Sequence, residues 1–204
     1  MRTLLLNKIR FIILVIFTLI PCFSVLAAEF RISNNKLIVS GSDVEDVEGF
    51  LLLLEKNEKI EIIVFQDVGG GQQHIGIEIA DIIIDFELDT HIEGECYGSC
   101  TLMFMGGKKR TLARGSVIGI TFNPYTKEHI QDILDNKTYE YVGDLADYII
   151  WVDETARTEL IEYFSLLIER GVNPIFIIDS LKKASSDTWI PRRKELLEAN
   201  FLTE

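Results

Sequence analysis

The sequence predicts a single α/β domain built around a mainly parallel β-sheet. Ile60 to Phe65 is apolar except for Glu61, as in a strand that is buried on both faces, and such strands favour a parallel sheet. A glycine loop, Gly69 to Gly71, follows this strand, and Gln73 to Phe86 then places isoleucines at helical spacing. With a further strand from Thr90, these elements form a βαβ unit, whose crossover should be right-handed.

The N-terminus has the layout of a secretory signal peptide. Arg2, Lys8 and Arg10 precede the apolar run Phe11 to Ile20, and the small residues Ala27 and Ala28 follow at a cleavage site. We therefore expect residues 1–27 to be a leader and residues 28–204 to be the domain, exported to the periplasm or the cell exterior. Ten apolar residues are short for a membrane anchor, so membrane contact is expected only through the leader if it is uncleaved.

The charge of the chain argues against nucleic acid as a partner. The whole chain has a net charge of −12. Removing the leader leaves 17 Lys and Arg residues against 32 Asp and Glu residues, a net charge of −15. A surface of this sign repels nucleic acid and anionic lipid.

The other elements follow from local patterns. Asn34 and Asn35 favour a hairpin turn between strands at 30–33 and 37–40. Ser42 and Glu45 fit a capping box, which predicts a helix from Asp43 to Lys56. The later elements are a strand at 116–122, a polar excursion at 123–144, helices at 146–170 and 174–183, and a last helix after Pro191.

The segment from Thr90 to Arg110 is the strongest candidate for a functional site. A strand breaks at Gly94 and Gly98 and continues as the apolar helical run from Thr101. Ser99 lies near the start of this helix, where free backbone N–H groups and the helix dipole favour a negative charge. The same placement is typical of an ordinary N-cap serine, and both interpretations stay open.

Other candidates for chemistry are few. The loop Gly69–Gly71 lacks the Lys-Ser/Thr of a P-loop, which leaves a backbone oxyanion hole or a plain tight turn. The three histidines, His74, His91 and His129, have no spacing that reveals a catalytic base. Cys96 and Cys100 can form a disulfide if their Cα atoms approach within about 4.4–6.8 Å. Metal binding is the weaker alternative, because two thiols fill half of a tetrahedral site.

Several motifs, taken in order, resemble the ClpP-like proteins of the ClpP/crotonase superfamily. The resemblance runs from about residue 30 to the C-terminus, and is closest to an exported bacterial branch with a C-x-S-x-C nucleophile turn. The motifs are G-G-G-x4-G (69–76), T-x3-G (90–94), C-x3-C (96–100), F-M-G-G-K-K-R (104–110), R-G-S-V-I-G-I (114–120), G-V-N-P (171–174), D-T-W-I (187–190) and E-L-L-E-A-N-F-L-T (195–203).

The resemblance implies a fold of stacked ββα units around the sheet, in one domain, and a homo-oligomer. It places an oxyanion N–H donor at Gly71 and the catalytic aspartate at Asp187. It also places the nucleophile at Gly98 and the histidine base at Thr121, and neither residue can perform that role. The catalytic machinery is therefore degenerate at two positions.

Two hypotheses for the function remain. One is a degenerate member that binds a peptide or partner protein without cutting it, and this non-enzyme interpretation is favoured. The other is an active serine hydrolase, in which Ser99 is the nucleophile, His74 or His91 the base, and Gly71 and Cys100 hold the oxyanion. No cofactor is expected, since crotonase-type chemistry would need coenzyme A outside the cytoplasm. No metal is expected either, because two thiols fill only half of a tetrahedral site.

Overall fold

The structure, a computed structural model, describes residues 28–42, 44–122, 127–185 and 187–204. The predicted leader lies outside these residues. The described strands form one six-stranded sheet. They are β1 (Glu29–Ser33), β2 (Lys36–Ser42), β3 (Ile62–Gly69), β4 (Asp89–Tyr97), β5 (Arg110–Leu112) and β6 (Val117–Gly119).

The sheet is mainly parallel, as predicted. Strands β1 to β4 are neighbours in chain order, and among the six strands only the β1–β2 hairpin is antiparallel. Strands β5 and β6 lie beside the same strand, because β5 pairs with the first part of β4 and β6 pairs with its last part. The strands predicted at 60–65, from Thr90 and at 116–122 therefore share one sheet, as β3, β4 and β6.

Seven α-helices lie within the described residues, with a short 3-10 helix at Thr138–Tyr141. They are α1 (Val47–Lys56), α2 (Gln73–Asp85), α3 (Ser99–Met105), α4 (Lys127–Asp135), α5 (Leu145–Glu169), α6 (Pro174–Lys183) and α7 (Arg193–Glu198). Within the ranges described, none of these helices combines the length and the apolarity needed to cross a bilayer.

The βαβ unit β3–α2–β4 is the centre of the core, as the sequence predicts. Ile63, Val64 and Phe65 of β3 are at most 1% exposed, which is the burial expected for a strand covered on both faces. Helix α2 buries Ile79, Ala80 and Ile83. Because both loops of this unit leave the carboxyl ends of β3 and β4, they meet at one edge of the sheet.

Two predicted boundaries are wrong. The capping box at Ser42 does not form, because β2 continues to Ser42 and helix α1 begins later, with Asp46 accepting from the N–H of Gly49 at 2.8 Å. Strand β4 does not break at Gly94 but continues to Tyr97. The excursion at 123–144 contains helix α4 and the 3-10 helix, while Asn123 to Thr126 lie outside the described residues.

Strand β5, which the sequence patterns do not predict, begins at a buried arginine. Arg110 is 3% exposed, and burial together with the neighbouring Arg170 lowers its pKa to about 10, so it stays charged at neutral pH. Its guanidinium donates to four backbone carbonyl oxygens at 2.8 to 3.2 Å, those of Gly107, Arg170, Asn200 and Phe201. This clamp ties the C-terminal segment to the end of helix α3.

We predict that Arg110→Met lowers the free energy of unfolding by about 3 kcal/mol, since it leaves several buried carbonyl oxygens without a donor. Urea denaturation of the chain from residue 28 measures the change. Lys109→Met is the matched control, because the Lys109 ammonium is exposed and its ion pair with Glu204 spans 3.7 Å. The control should change the free energy by less than about 1 kcal/mol. Equal effects of the two substitutions would contradict a stabilising role for the Arg110 hydrogen bonds.

Candidate functional site

The loop between β3 and α2 depends on two consecutive glycines. Gly70 and Gly71 have φ angles of +72° and +85°, a region that other residues rarely adopt. Gln72 then caps α2 in an extended conformation. The backbone of this loop can therefore turn sharply and approach the start of α3.

The turn between β4 and α3 has a third constrained glycine. Gly98 has a φ of +58° and a ψ of −128°, and helix α3 begins directly after it. A sharp, strained strand-to-helix turn of this kind is how α/β hydrolases present a nucleophile. Here that position carries no side chain. An added Cβ would meet the carbonyl oxygen of Gly70 at 3.2 Å.

A disulfide spans this turn. Cys96 and Cys100 are bonded, with an S–S distance of 2.05 Å and a Cα–Cα distance of 5.5 Å, and both are fully buried. The predicted disulfide is therefore present. Since it joins the last residues of β4 to the first turn of α3, it restricts the backbone on both sides of Gly98.

Ser99 is bound to the glycine loop rather than free. Its hydroxyl donates to the carbonyl oxygen of Gly70 at 2.6 Å, and its backbone N–H donates to the same oxygen at 3.2 Å. The side chain is 3% exposed. A carbonyl cannot take the hydroxyl proton, so this arrangement does not activate Ser99 as a nucleophile. The same carbonyl oxygen also occupies the backbone N–H of Ser99, the residue after Gly98. A donor to an oxyanion would be expected at this N–H.

Close packing of α2 on α3 holds Ser99 in this place. A Cβ added to Gly76 would meet the carbonyl oxygen of Ser99 at 2.8 Å and its Cβ at 2.9 Å. A Cβ added to Gly106 would meet the carbonyl oxygen of Ala80 at 2.6 Å. Gly76 and Ala80 of α2 thus allow α2 and α3 to approach each other closely.

A cavity of about 380 Å³ lies beside these loops. Five of the predicted site residues line it, namely Gly71, His74, Gly98, Ser99 and Thr121. His74 is exposed on the first turn of α2, and Thr121 is exposed just after β6. The structure therefore brings together the glycine loop, the strand-to-helix turn and Thr121, the residue at the expected position of the base.

The remaining candidates do not line the cavity. Cys100, the second predicted oxyanion residue, is fully buried. The carboxylate of Asp187 is exposed and accepts the N–H of Thr188 at 2.7 Å, although its segment returns to the site through the bridge between Trp189 and Ile120. His91 lies seven residues before Gly98 on β4, roughly 20 Å along the strand. Its Nδ1 is 2.7 Å from Thr111 Oγ1.

Helix α5 contributes a wall that the sequence patterns did not reveal. Ala156, Glu159, Leu160 and Tyr163 all line the cavity. Their spacing of three, four and seven residues marks one helix face, and this periodicity is the signal that could have identified them. The other apolar wall residues are Leu102, Ile120 and Phe122.

Two of these α5 side chains have shifted pKa values. Burial raises the pKa of the Glu159 carboxyl, Glu162 raises it further, and His74 lowers it. Burial also raises the pKa of Tyr163, whose hydroxyl has no hydrogen-bond partner among the residues that the structure describes. Within the same residues, no three His, Cys, Asp or Glu side chains form a group that could hold a metal ion.

Neither a family model nor a curated protein sequence matches the chain. Solved structures match its fold. One is a point mutant of ClpP1 from Listeria monocytogenes, with 17% sequence identity and a TM-score of 0.56, over 84% of this chain and 90% of that chain. Another is a protein assigned as an enoyl-CoA hydratase from Streptomyces coelicolor A3(2), with 10% identity and a TM-score of 0.49, over 90% of this chain and 68% of that chain. The ClpP1 match shows that the fold is ClpP-like, as predicted, and identity this low shows the fold alone.

We predict that Gly98→Ala destabilises the protein by about 2 kcal/mol, from the strained backbone and the contact with Gly70. Gly115→Ala is the matched control. Gly115 also has a positive φ, of +87°, but an added Cβ there meets nothing within 4 Å. The control should lose about 1 kcal/mol, from the backbone term alone. Chemical denaturation measures both, and equal losses would show that the Gly70 contact has no energetic consequence.

Proposed function

We propose that this protein is a degenerate ClpP-like protein, which binds an extended peptide or a segment of a partner protein without cutting it. One observation carries the proposal. The strand-to-helix turn at Gly98 has the backbone that presents a nucleophile but has no side chain. Thr121, at the position of the base, cannot accept a proton from a hydroxyl.

The cavity supports a binding role. Its volume of about 380 Å³ lies in the usual range of ligand pockets, about 300–1,000 Å³. One wall is apolar, while Gln72, Gln73 and His74 supply polar groups on the side of the glycine loop. An extended peptide could hydrogen-bond the backbone next to this cavity and place a side chain inside it.

An active serine hydrolase is the second candidate, because Ser99 and His74 line the same cavity. For this chemistry, Ser99 would first have to release the carbonyl oxygen of Gly70. Its hydroxyl would then have to come within about 3 Å of His74.

We predict that the chain from residue 28 retains decapeptides from a random-sequence pool, and that mass spectrometry finds the retained peptides uncut. Ala156→Phe should abolish retention, because the larger side chain fills the cavity. Thr158→Phe, at an exposed position of α5 that does not line the cavity, is the matched control and should retain peptides like the wild type.

Two results would contradict this proposal. Peptides cut by the wild type but not by Ser99→Ala would favour the hydrolase. Equal retention by the wild type and Ala156→Phe would show that peptides bind elsewhere.

We also propose that the protein forms a homo-oligomer through helix α5. The residues that α5 buries, Tyr163, Leu166 and Leu167, all lie in its second half. Its first half exposes large apolar side chains, which are 43 to 60% accessible: Leu145, Ile149, Ile150 and Trp151. A second copy of the chain would cover this apolar face.

We predict that light scattering of the chain from residue 28 gives a mass larger than that of the monomer. The double substitution Ile149→Lys and Ile150→Lys should reduce the mass to that of a monomer, because it places two charges in the apolar face. Thr158→Lys adds a charge at another exposed position of α5 and should leave the assembly intact. A monomeric wild type would contradict the proposed interface.

Export through the leader at residues 1–27 is a further proposal. The leader pattern supports it, and so does a disulfide at Cys96–Cys100, since structural disulfides persist in oxidising compartments. We predict that protein recovered from the periplasm of a bacterial host begins at Ala28 or Glu29 and has no free thiol at these two cysteines. Intact mass and thiol counting measure both. A full-length chain with two free thiols that is found only in the cytoplasm would contradict export.

A further inference from the structure

The cavity beside Gly98 has an unusual combination of an apolar wall and one carboxylate. Among its fifteen lining residues, Glu159 is the only Asp or Glu, and there is no Lys or Arg. Leu160 and Tyr163, on the same helix, line the cavity together with it. A ligand in this cavity would therefore meet apolar surface together with one negative charge.

Glu159 has no counter-ion of its own. It is half-buried, and within the described parts of the chain it forms no ion pair. A half-buried carboxylate without an ion pair loses part of its hydration, and here the nearby His74 offsets only part of that cost. The raised pKa of this carboxyl, caused first by burial and then by Glu162, reports the same cost. A cation bound in the cavity would compensate for this lost hydration.

The backbone holds Glu159 close to the glycine loop. Gln73 donates its side-chain amide to the carbonyl oxygen of Glu159, which ties α5 to the first turn of α2. His74 follows on that turn and is near enough to lower the pKa of the Glu159 carboxyl. The backbone at Glu159 is therefore held beside the part of the site where a peptide would lie.

From this geometry we infer that the cavity selects peptides bearing a lysine or arginine side chain. The methylene stem packs against the apolar wall, formed by Leu102, Phe122 and Leu160, and the cation pairs with the carboxylate of Glu159. The net charge of the chain, −12 over the whole sequence, attracts a basic peptide as well. This inference rests on the proposed binding function and names the ligand class that the site takes.

Fluorescent hexapeptide pools that differ at one fixed central residue test the inference. That residue is lysine, norleucine or glutamate, and the flanking positions are randomised among small apolar residues. Fluorescence anisotropy measures their binding to the chain from residue 28. The wild type should bind the lysine pool about tenfold more tightly than the norleucine pool, and the glutamate pool most weakly.

Glu159→Gln should bind the lysine and norleucine pools within about twofold of each other, because it keeps the shape of the side chain and removes its charge. Binding of the norleucine pool at least as tightly as by the wild type would show that the variant is folded and that the cavity is intact. Glu154→Gln removes one charge from an exposed position of the same helix and should keep the wild-type preference.

The failures of the two proposals differ. Equal binding of the lysine and norleucine pools by the wild type would overturn the cation preference and leave peptide binding in place. A preference that persists in Glu159→Gln would likewise overturn the role of this carboxylate. Binding of none of the pools would overturn both the inference and the proposed function.

Discussion

The carbonyl oxygen of Gly70 connects the two loops on which the candidate site depends. It accepts the hydroxyl and the backbone N–H of Ser99, so one acceptor fixes the glycine loop against the first turn of α3. Both groups would otherwise be available for chemistry, one as a nucleophile and the other as an oxyanion donor. The interaction depends on the positive φ of Gly70 and on close packing of α2 against α3, which Gly76 allows. The same two hydrogen bonds to Gly70 thus hold the loops together and keep Ser99 from being activated.

Two further features also hold the turn at Gly98 rigid. The disulfide between Cys96 and Cys100 restricts the backbone around Gly98, and no side chain at Gly98 competes with the Gly70 carbonyl for space. The result is a rigid turn beside a cavity whose far wall is helix α5. A cleft of this kind retains its shape without catalytic residues. These constraints are the basis for our proposal that the cleft binds a ligand and does not cleave it.

Much of the fold could be predicted because apolar periodicity reports burial directly. The run at Ile60–Phe65 and the spacing in α2 identified the βαβ unit, and the order of short motifs indicated the ClpP/crotonase-type fold. Strand β5 could not be predicted, because it begins at Arg110, whose burial is possible only through carbonyl oxygens distant in sequence. The break expected at Gly94 was wrong for a related reason: the absence of a Cβ at Gly94 makes room for Asp67, on the neighbouring strand. The hydrogen bond from Ser99 to Gly70 is likewise a contact between residues distant in sequence. The spacing of the α5 wall residues could be read from the sequence, but it did not show which part of the fold they face.

The central claim is that Ser99 is not an activated nucleophile, and labelling with a fluorophosphonate probe tests it most directly. The probe reacts with activated serines and needs no knowledge of a substrate. We predict that the folded chain from residue 28 is labelled no more strongly than Ser99→Ala, while a known serine hydrolase in the same reaction is labelled fully. Strong labelling of the wild type that disappears in Ser99→Ala would contradict this claim and identify Ser99 as a catalytic nucleophile.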